Sequence, residues 1–222
     1  MKPLLIEMSF DFICPWCLIG KRNLEKALVS LARSRPDVPV RLQWKGVQLL
    51  PDLPAEGVPF EAFYLKRLGS AENVQARQAQ VREAAAHAGV YLDLKQIQVM
   101  PNTANAHRLL ALAAQQGSAR QLNSLLERLF ASYFQQGYDI GQGELLLRLA
   151  RSCGYNERRL EGALFDDGRP YVADDAVPAG TSVPSFVIDQ RLPLVGAQPP
   201  WLILAQLQRA LEPAMPVAEC LA

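Results

Sequence analysis

The sequence predicts an α/β fold that is interrupted by a long helical segment, and three observations support this. Near the N-terminus, an alternating apolar run is followed by two cysteines and then by a helical pattern. Apolar spacing from residue 59 to residue 168 is helical throughout, and two short apolar runs flank a turn near the C-terminus. We therefore predict one discontinuous domain, residues 1–58 and 169–222, with an all-helical insertion at residues 59–168.

The N-terminal run alternates apolar and polar side chains and predicts the first strand. Its apolar members are Ile6, Met8, Phe10 and Phe12, and its polar members are Glu7, Ser9 and Asp11. Pro15 can open a helix, because its missing N–H would be unpaired there in any case, and apolar residues recur at helical spacing beyond it. Cys14 therefore lies at a predicted helix N-terminus, where free N–H groups and the helix dipole favour a thiolate.

Cys17 follows Cys14 by three positions, about one helical turn, so the two side chains can close a disulfide. A cysteine pair between a strand and a helix indicates redox chemistry. A zinc site is the alternative, and it needs about four ligands. The other candidate ligands are scattered singly along the chain: Cys153, Cys220, His87 and His107. Without a second close pair, we expect no metal site.

A second strand is predicted at residues 40–45, where apolar and polar residues alternate again. It runs parallel to the first strand because a helix connects the two. The insertion then holds helices and no strand. The expected helical spans are residues 60–68, 70–88, 103–117, 118–137, 143–152 and 156–165. Ser118 and Gln121 form a capping box at the start of one of them.

The sheet resumes after the insertion as a hairpin of two short strands. Residues 186–188 and 192–195 are apolar and flank a turn. Pro193 places the last strand at a sheet edge, because proline cannot donate to a hydrogen-bond ladder. A final helix is expected between Pro199 and Pro213.

Composition narrows the classes of partner. Half of the 222 residues are hydrophobic, and 23 Lys and Arg nearly balance 22 Asp and Glu. The basic residues are scattered, which argues against nucleic-acid and membrane-surface partners. The N-terminus has no signal-peptide core, and no stretch approaches the ~20 apolar residues of a membrane span. We expect a cytoplasmic protein.

Several ordered motifs resemble one protein family across essentially the whole chain. They are DFICPWCLIGK at residues 11–21, NT at 102–103 with AHRL at 106–109, VPSFVI at 183–188, and GAQ at 196–198. They are similar to the FrnE-like branch of the DsbA family, whose relatives include kappa-class glutathione transferases and 2-hydroxychromene-2-carboxylate isomerases. The resemblance implies a thioredoxin fold, a four-stranded mixed sheet with a large helical insertion.

The resemblance also implies roles for individual residues. Cys14 is expected to be the exposed nucleophile, and Cys17 the buried thiol that resolves the mixed disulfide. Pro184 is expected to form a cis peptide bond facing the two sulfurs, beside a Val183 backbone that pairs with an extended substrate. The expected substrate-binding residues are Trp16, Val183, His107 and Asn102.

Some residues keep two interpretations at this point. Asp11 is either the proton acceptor for Cys17 or a hydrogen-bonded turn residue. His107 either faces the site from the insertion or is a satisfied structural histidine. Cys220 is either a further redox thiol or an inert terminal cysteine. Pro178 interrupts the helix that the resemblance leads us to expect before Pro184.

We predict a thiol–disulfide oxidoreductase that acts on thiol- or disulfide-containing proteins or small molecules. No tightly bound cofactor is expected, and glutathione is one option for a redox partner. The alternatives are a glutathione-dependent transferase or isomerase, in which a serine replaces the nucleophile, and a non-catalytic chaperone-like module. The oligomeric state is open, with a homodimer as one option.

Overall fold

A computed structural model describes residues 2–173 and 182–212. A four-stranded mixed sheet contains strands β1 (Leu4–Phe10), β2 (Val40–Gly46), β5 (Ser185–Ile188) and β6 (Leu192–Val195), in the spatial order β2-β1-β5-β6. β1 runs parallel to β2 and antiparallel to β5, and β6 pairs antiparallel with β5. The predicted α/β class and mixed sheet are confirmed, and Pro193 lies in the edge strand β6.

β1 is a central strand, and its position decides where the cysteines lie. Its residues alternate between buried and half-buried, with Ile6 and Phe10 in the core. Helix α1 (Pro15–Ser34) begins five residues after β1 ends and packs against helix α7 (Pro200–Leu211). The cysteine pair therefore lies at the end of a strand that is hydrogen-bonded on both sides.

The inserted segment is mainly helical. Its helices are α2 (Phe60–Leu68), α3 (Ala71–Ala88), α4 (Ala104–Gln116), α5 (Ala119–Phe134) and α6 (Gly143–Ser152), followed by 3₁₀ turns at Glu157–Arg159 and Glu161–Ala163. The capping box predicted at Ser118 and Gln121 opens α5. Residues 156–165 form the two short 3₁₀ turns instead of the predicted α-helix.

The prediction of an all-helical insertion needs one correction. Strand β4 (Val99–Met100) lies inside it and pairs antiparallel with β3 (Val58–Pro59), just before α2. Two-residue strands leave no alternating pattern, and pairing partners 40 residues apart cannot be recognised from local sequence. The predicted tail from Pro213, including Cys220, and the segment with Pro178 lie outside the described residues.

A buried lysine joins the sheet domain to the insertion. The Lys21 side chain on α1 is only 1% exposed, and its Nζ contacts Glu25 at 2.5 Å and Glu127 on α5. Arg22 contacts the same two carboxylates, and the Lys21 amine lies 5.6 Å from the centre of the Trp44 ring. Burial acts to raise the pKa of Glu127, but Lys21 and Arg22 outweigh it and lower that pKa. These charges therefore tie α1 to α5.

We predict that Lys21→Met lowers the free energy of unfolding at pH 7 by about 2 kcal/mol, below the ~3 to 5 kcal/mol of fully buried pairs because Arg22 remains. Because the pKa of Glu127 is lowered in the folded state, its ionisation stabilises the fold above its ordinary pKa of about 4.3 and is lost at lower pH. The difference between the variant and the wild type should thus shrink below pH 4.

Urea unfolding at several pH values measures this difference. Lys26→Met is the matched control, because Lys26 is an exposed lysine on the same helix and should change stability by less than about 0.5 kcal/mol. Equal effects of the two substitutions at pH 7 would contradict a specific role for the buried amine.

Candidate active site

Cys14 occupies the N-cap position of the helix that follows the central strand. Cys14 has extended backbone angles, φ −89° and ψ 108°, and Pro15 occupies the first helical position, as predicted. The Cys14 N–H donates to the Asp11 carbonyl at 3.2 Å, and the Cys17 N–H donates to the Cys14 carbonyl at 3.0 Å. This turn holds both cysteines at the helix N-terminus.

The two cysteines are free thiols with unequal accessibility. Cys14 is 8% exposed and Cys17 is completely buried. The expectation of an exposed nucleophile therefore needs a correction, because Cys14 lies in the wall of a cavity that it shares with Trp16, Leu49 and Val183. A substrate sulfur must reach Cys14 through this cavity.

The local environment moves the two thiol pKa values in opposite directions. A hydrogen bond from the Cys17 side chain lowers the pKa of Cys14 and outweighs the effect of burial, and the backbone of Cys17 and Trp16 lowers it further. Burial, followed by the hydrogen bond and the charge of Cys14, raises the pKa of Cys17 well above its ordinary value. The charge of Asp11 acts to raise both pKa values, whereas a hydrogen bond with the Asp11 backbone acts to lower that of Cys17. Cys14 is therefore the sulfur that ionises first.

The Val183–Pro184 segment lies beside Cys14. Its peptide bond is cis, and the Cys14 thiol lies 3.9 Å from the Val183 carbonyl oxygen. Gly20 on α1 allows Pro184 to approach closely, because a Cβ at this glycine would lie 3.0 Å from the Pro184 Cγ. The structure thus brings Cys14, Cys17, Trp16, Val183 and Pro184 to one place.

Asp11 and His107 form a buried pair behind the cysteine turn. Asp11 Oδ1 lies 3.0 Å from His107 Nε2, and Asp11 Oδ2 accepts the Leu49 N–H at 2.7 Å. Neither side chain is exposed. His107 Nδ1 has no hydrogen-bond partner among the described residues and faces Gly46, where a Cβ would lie 2.5 Å away.

His107 and Asn102 do not line the cavity at Cys14. His107 stacks on Tyr171 and borders a separate cavity of about 720 Å³ along β2. Asn102 is 4% exposed, and its amide donates to the carbonyls of Leu53 and Gly168 while its oxygen accepts two N–H groups. These contacts make Asn102 a bridge between loops, which corrects the expectation that it contacts substrate.

The cavity at Cys14 measures about 410 Å³, and most of the residues that line it belong to the insertion. The sequence analysis did not predict the side of the cavity that faces the cysteine turn. There α2 and α3 contribute Tyr64, Arg67, Leu68, Val74 and Arg77. The apolar stripe on α2 was the available signal, but a stripe does not indicate which neighbour it faces.

Residues 2–173 and 182–212 contain neither a metal-binding cluster nor a membrane-spanning helix. In these ranges, no group of three His, Cys, Asp or Glu side chains could hold a metal ion. No helix within the same ranges is long and apolar enough to cross a membrane.

A cysteine pair at a helix N-terminus, reached from a central strand and faced by a cis-proline, is the arrangement of thioredoxin-like proteins. The family comparison agrees with this class. The chain belongs to the family of DSBA-like thioredoxin domains, whose family model matches residues 5–208.

Three similar proteins illustrate the relationship. The uncharacterized protein YwbO of Bacillus subtilis (strain 168) is 23% identical over 189 residues, which cover 82% of this chain and 86% of YwbO. A probable DsbA oxidoreductase of Streptomyces coelicolor, SCO1869, is 26% identical, with a TM-score of 0.79 over 93% of this chain and 89% of its own. The cytosolic disulfide reductase DsbM of Pseudomonas aeruginosa, solved with GSH, is 17% identical, with a TM-score of 0.55 over 94% and 99%.

We predict that replacing Cys17 changes the ionisation of Cys14 according to hydrogen-bonding capacity. Cys17→Ala removes the largest contribution that lowers the Cys14 pKa, so the pH profile of Cys14 alkylation should move to higher pH. Cys17→Ser retains an O–H donor and should keep the profile closer to that of the wild type.

Iodoacetamide labelling followed by peptide mass spectrometry measures both profiles site by site. Wild-type Cys14 should react at least about tenfold faster than Cys17 at pH 7, because the thiolate is the reactive form. Identical profiles for the alanine and serine variants would contradict the assigned hydrogen bond.

Proposed function

We propose that the protein is a thiol–disulfide oxidoreductase of the FrnE-like branch that uses the Cys14–Cys17 pair. The observation that carries this proposal is the position of Cys14 at the N-cap of α1, with the buried Cys17 in the first turn and the cis Val183–Pro184 bond beside it. The pKa values of the two thiols move in opposite directions in this arrangement. Because its pKa is lowered, the Cys14 thiol forms the thiolate that attacks disulfides. The pKa of the buried Cys17 is raised, so Cys17 stays protonated until the second step.

In the reducing direction, the Cys14 thiolate attacks one sulfur of a substrate disulfide. A bond forms between Cys14 and that sulfur, and the other substrate sulfur leaves as a thiolate. Cys17 then loses its proton and attacks Cys14, which releases the second substrate thiolate and leaves the protein oxidised. In the oxidising direction the same steps run in reverse, and a dithiol substrate becomes the disulfide.

We assign Asp11 as the proton acceptor for Cys17. Its carboxylate is buried behind the cysteine turn, and its charge acts on the pKa of both thiols. His107 is a positioning residue in this proposal, because its Nε2 contacts the Asp11 carboxylate from α4. Burial makes Cys17 a poor nucleophile unless a nearby base removes its proton.

Trp16, Val183 and Pro184 form the proposed substrate contact around Cys14. Proline lacks an N–H, so the Pro184 nitrogen does not compete with substrate for hydrogen bonds. The Val183 carbonyl accepts the Cys14 thiol at 3.9 Å and has a second lone pair for an extended substrate segment.

We expect Cys14→Ser to lose reduction of insulin disulfides by at least about a hundredfold, because the thiol whose pKa is lowered is removed. Cys17→Ser should accumulate mixed disulfides, because the resolving thiol is missing. Insulin turbidity and intact mass spectrometry measure the two effects. Cys153→Ser is the matched control, since Cys153 lies at the end of α6, outside the cavity. Full activity of Cys14→Ser would overturn the proposed function.

We expect Asp11→Asn to slow the resolution of a mixed disulfide at pH 7 by at least about tenfold, because general-base catalysis is lost. The same substitution should lower the pKa of Cys14, because it removes a charge that raises it. Single-turnover kinetics and the alkylation profile measure these opposite changes, which simple unfolding would not produce. Asp52→Asn replaces an exposed carboxylate and should change neither. Unchanged resolution in Asp11→Asn would contradict the assignment.

Glutathione is included in the proposal as an exchange partner. The DsbM structure contains GSH and shares the fold, which supports this choice without assigning a tightly bound cofactor. The proposal also includes a cytoplasmic location, which the same cytosolic neighbour supports. A homodimer remains a prediction.

A glutathione transferase or isomerase is less favoured, because two cysteines occupy the motif. Calorimetric titration with glutathione separates stable binding from transient exchange.

A further inference from the structure

The cavity that contains Cys14 has two kinds of wall. Its larger surface is apolar and is built by α2, α3, the loop after β2 and the end of α5. Its apolar residues include Leu50, Phe60, Phe63, Leu68, Val74 and Phe134. A cavity of about 410 Å³ falls within the ~300 to 1,000 Å³ of small-molecule sites.

Two arginines supply the polar side of the cavity. Arg67 on α2 and Arg77 on α3 both line it and are both exposed. Arg67 lies over the Phe63 ring at 6.0 Å, and Arg77 lies over the Trp16 ring at 5.9 Å and donates to Gln80. In the part of the chain that the structure describes, neither arginine pairs with a carboxylate, and no carboxylate lines the cavity.

Tyr64 connects these groups electrostatically. Burial and the neighbouring Cys14 raise the pKa of Tyr64, whereas Arg67 and Arg77 act to lower it. The half-buried Tyr64 lines the same cavity as Cys14 and both arginines. The cations, the apolar wall and the sulfur therefore belong to one site.

We propose that this cavity selects small disulfides that combine an apolar, aromatic-sized body with a carboxylate, the body lying against the α2–α3 wall and the carboxylate facing Arg67 and Arg77. This inference rests on the proposed function and names its substrate class. Cys14 is only 8% exposed, so a compact disulfide that enters the cavity reaches the sulfur more readily than a folded protein surface does.

The Cys14–Cys17 dithiol is the reductant of the substrate disulfide. The Cys14 thiolate forms a bond to one substrate sulfur and expels the other as an aromatic thiolate. Cys17 then attacks Cys14 and expels the second thiolate, so that one disulfide is reduced and the Cys14–Cys17 pair is oxidised. Dithiothreitol reduces the pair beforehand, becoming a cyclic disulfide, and is removed by gel filtration before a single turnover is measured, because it would reduce the aromatic disulfides directly.

The test compares two aromatic disulfides: dithiobis(nitrobenzoic acid), which carries carboxylates, and dithiodipyridine, which is uncharged. Both are used with the full chain carrying Cys153→Ser and Cys220→Ser, and each rate is divided by the rate with free N-acetylcysteine amide, which is an uncharged reference thiol. We expect a preference for the acidic reagent that weakens as salt is added. Arg67→Gln and Arg77→Gln should each reduce this preference about threefold, and together about tenfold, while the neutral reagent is unaffected.

Arg82→Gln is the matched control, because Arg82 is an exposed arginine on α3 that does not line the cavity. No preference in the wild type, or an equal loss in the Arg82 variant, would overturn the inference and leave the proposed function intact. If neither reagent reacts at Cys14 faster than at the free thiol, the proposed function itself fails. If the arginine variants lose insulin reduction to the same extent, the carboxylate belongs to a protein substrate and the small-molecule assignment is overturned.

Discussion

The interaction between the Cys14 and Cys17 side chains is the one on which the site depends. It lowers the pKa of Cys14 and raises that of Cys17. Cys14 therefore acts as the nucleophile, and Cys17 stays protonated until it resolves the mixed disulfide. The contact exists because Cys14 caps α1 and Cys17 lies in the first turn beneath it. The central strand β1 fixes that turn, since β1 is paired on both sides.

Paired ionisable side chains, as well as apolar residues, pack around the two cysteines. Asp11 and His107 lie behind the turn, and Lys21 lies one turn further along α1 with its two glutamates. Each pair joins the sheet domain to the insertion, through α4 in one case and α5 in the other. The insertion therefore does more than cover the cysteines: it supplies partners for two ionisable side chains that would otherwise be costly to bury.

Local sequence was sufficient to predict the elements but not the surroundings of the site. The alternation in β1, Pro15 after Cys14, the capping box at Ser118 and the edge position of Pro193 are rules of short range, and the structure confirms them. The covering of Cys14, the bridging role of Asn102 and the arginines of α2 and α3 arise from contacts between distant segments. A single sequence does not indicate which helix face contacts which loop, so these features are visible only in the three-dimensional structure.

The contact between Cys14 and Val183 joins positions 169 residues apart. Strand β5, which completes the pairing of β1, also comes from the C-terminal part of the chain. During synthesis on a ribosome, the cysteine turn emerges first, and the segment that faces it follows 169 residues later. The reactive centre is therefore complete only after β5 has been made, and until then a nascent chain carries both thiols without the groove that selects what they meet.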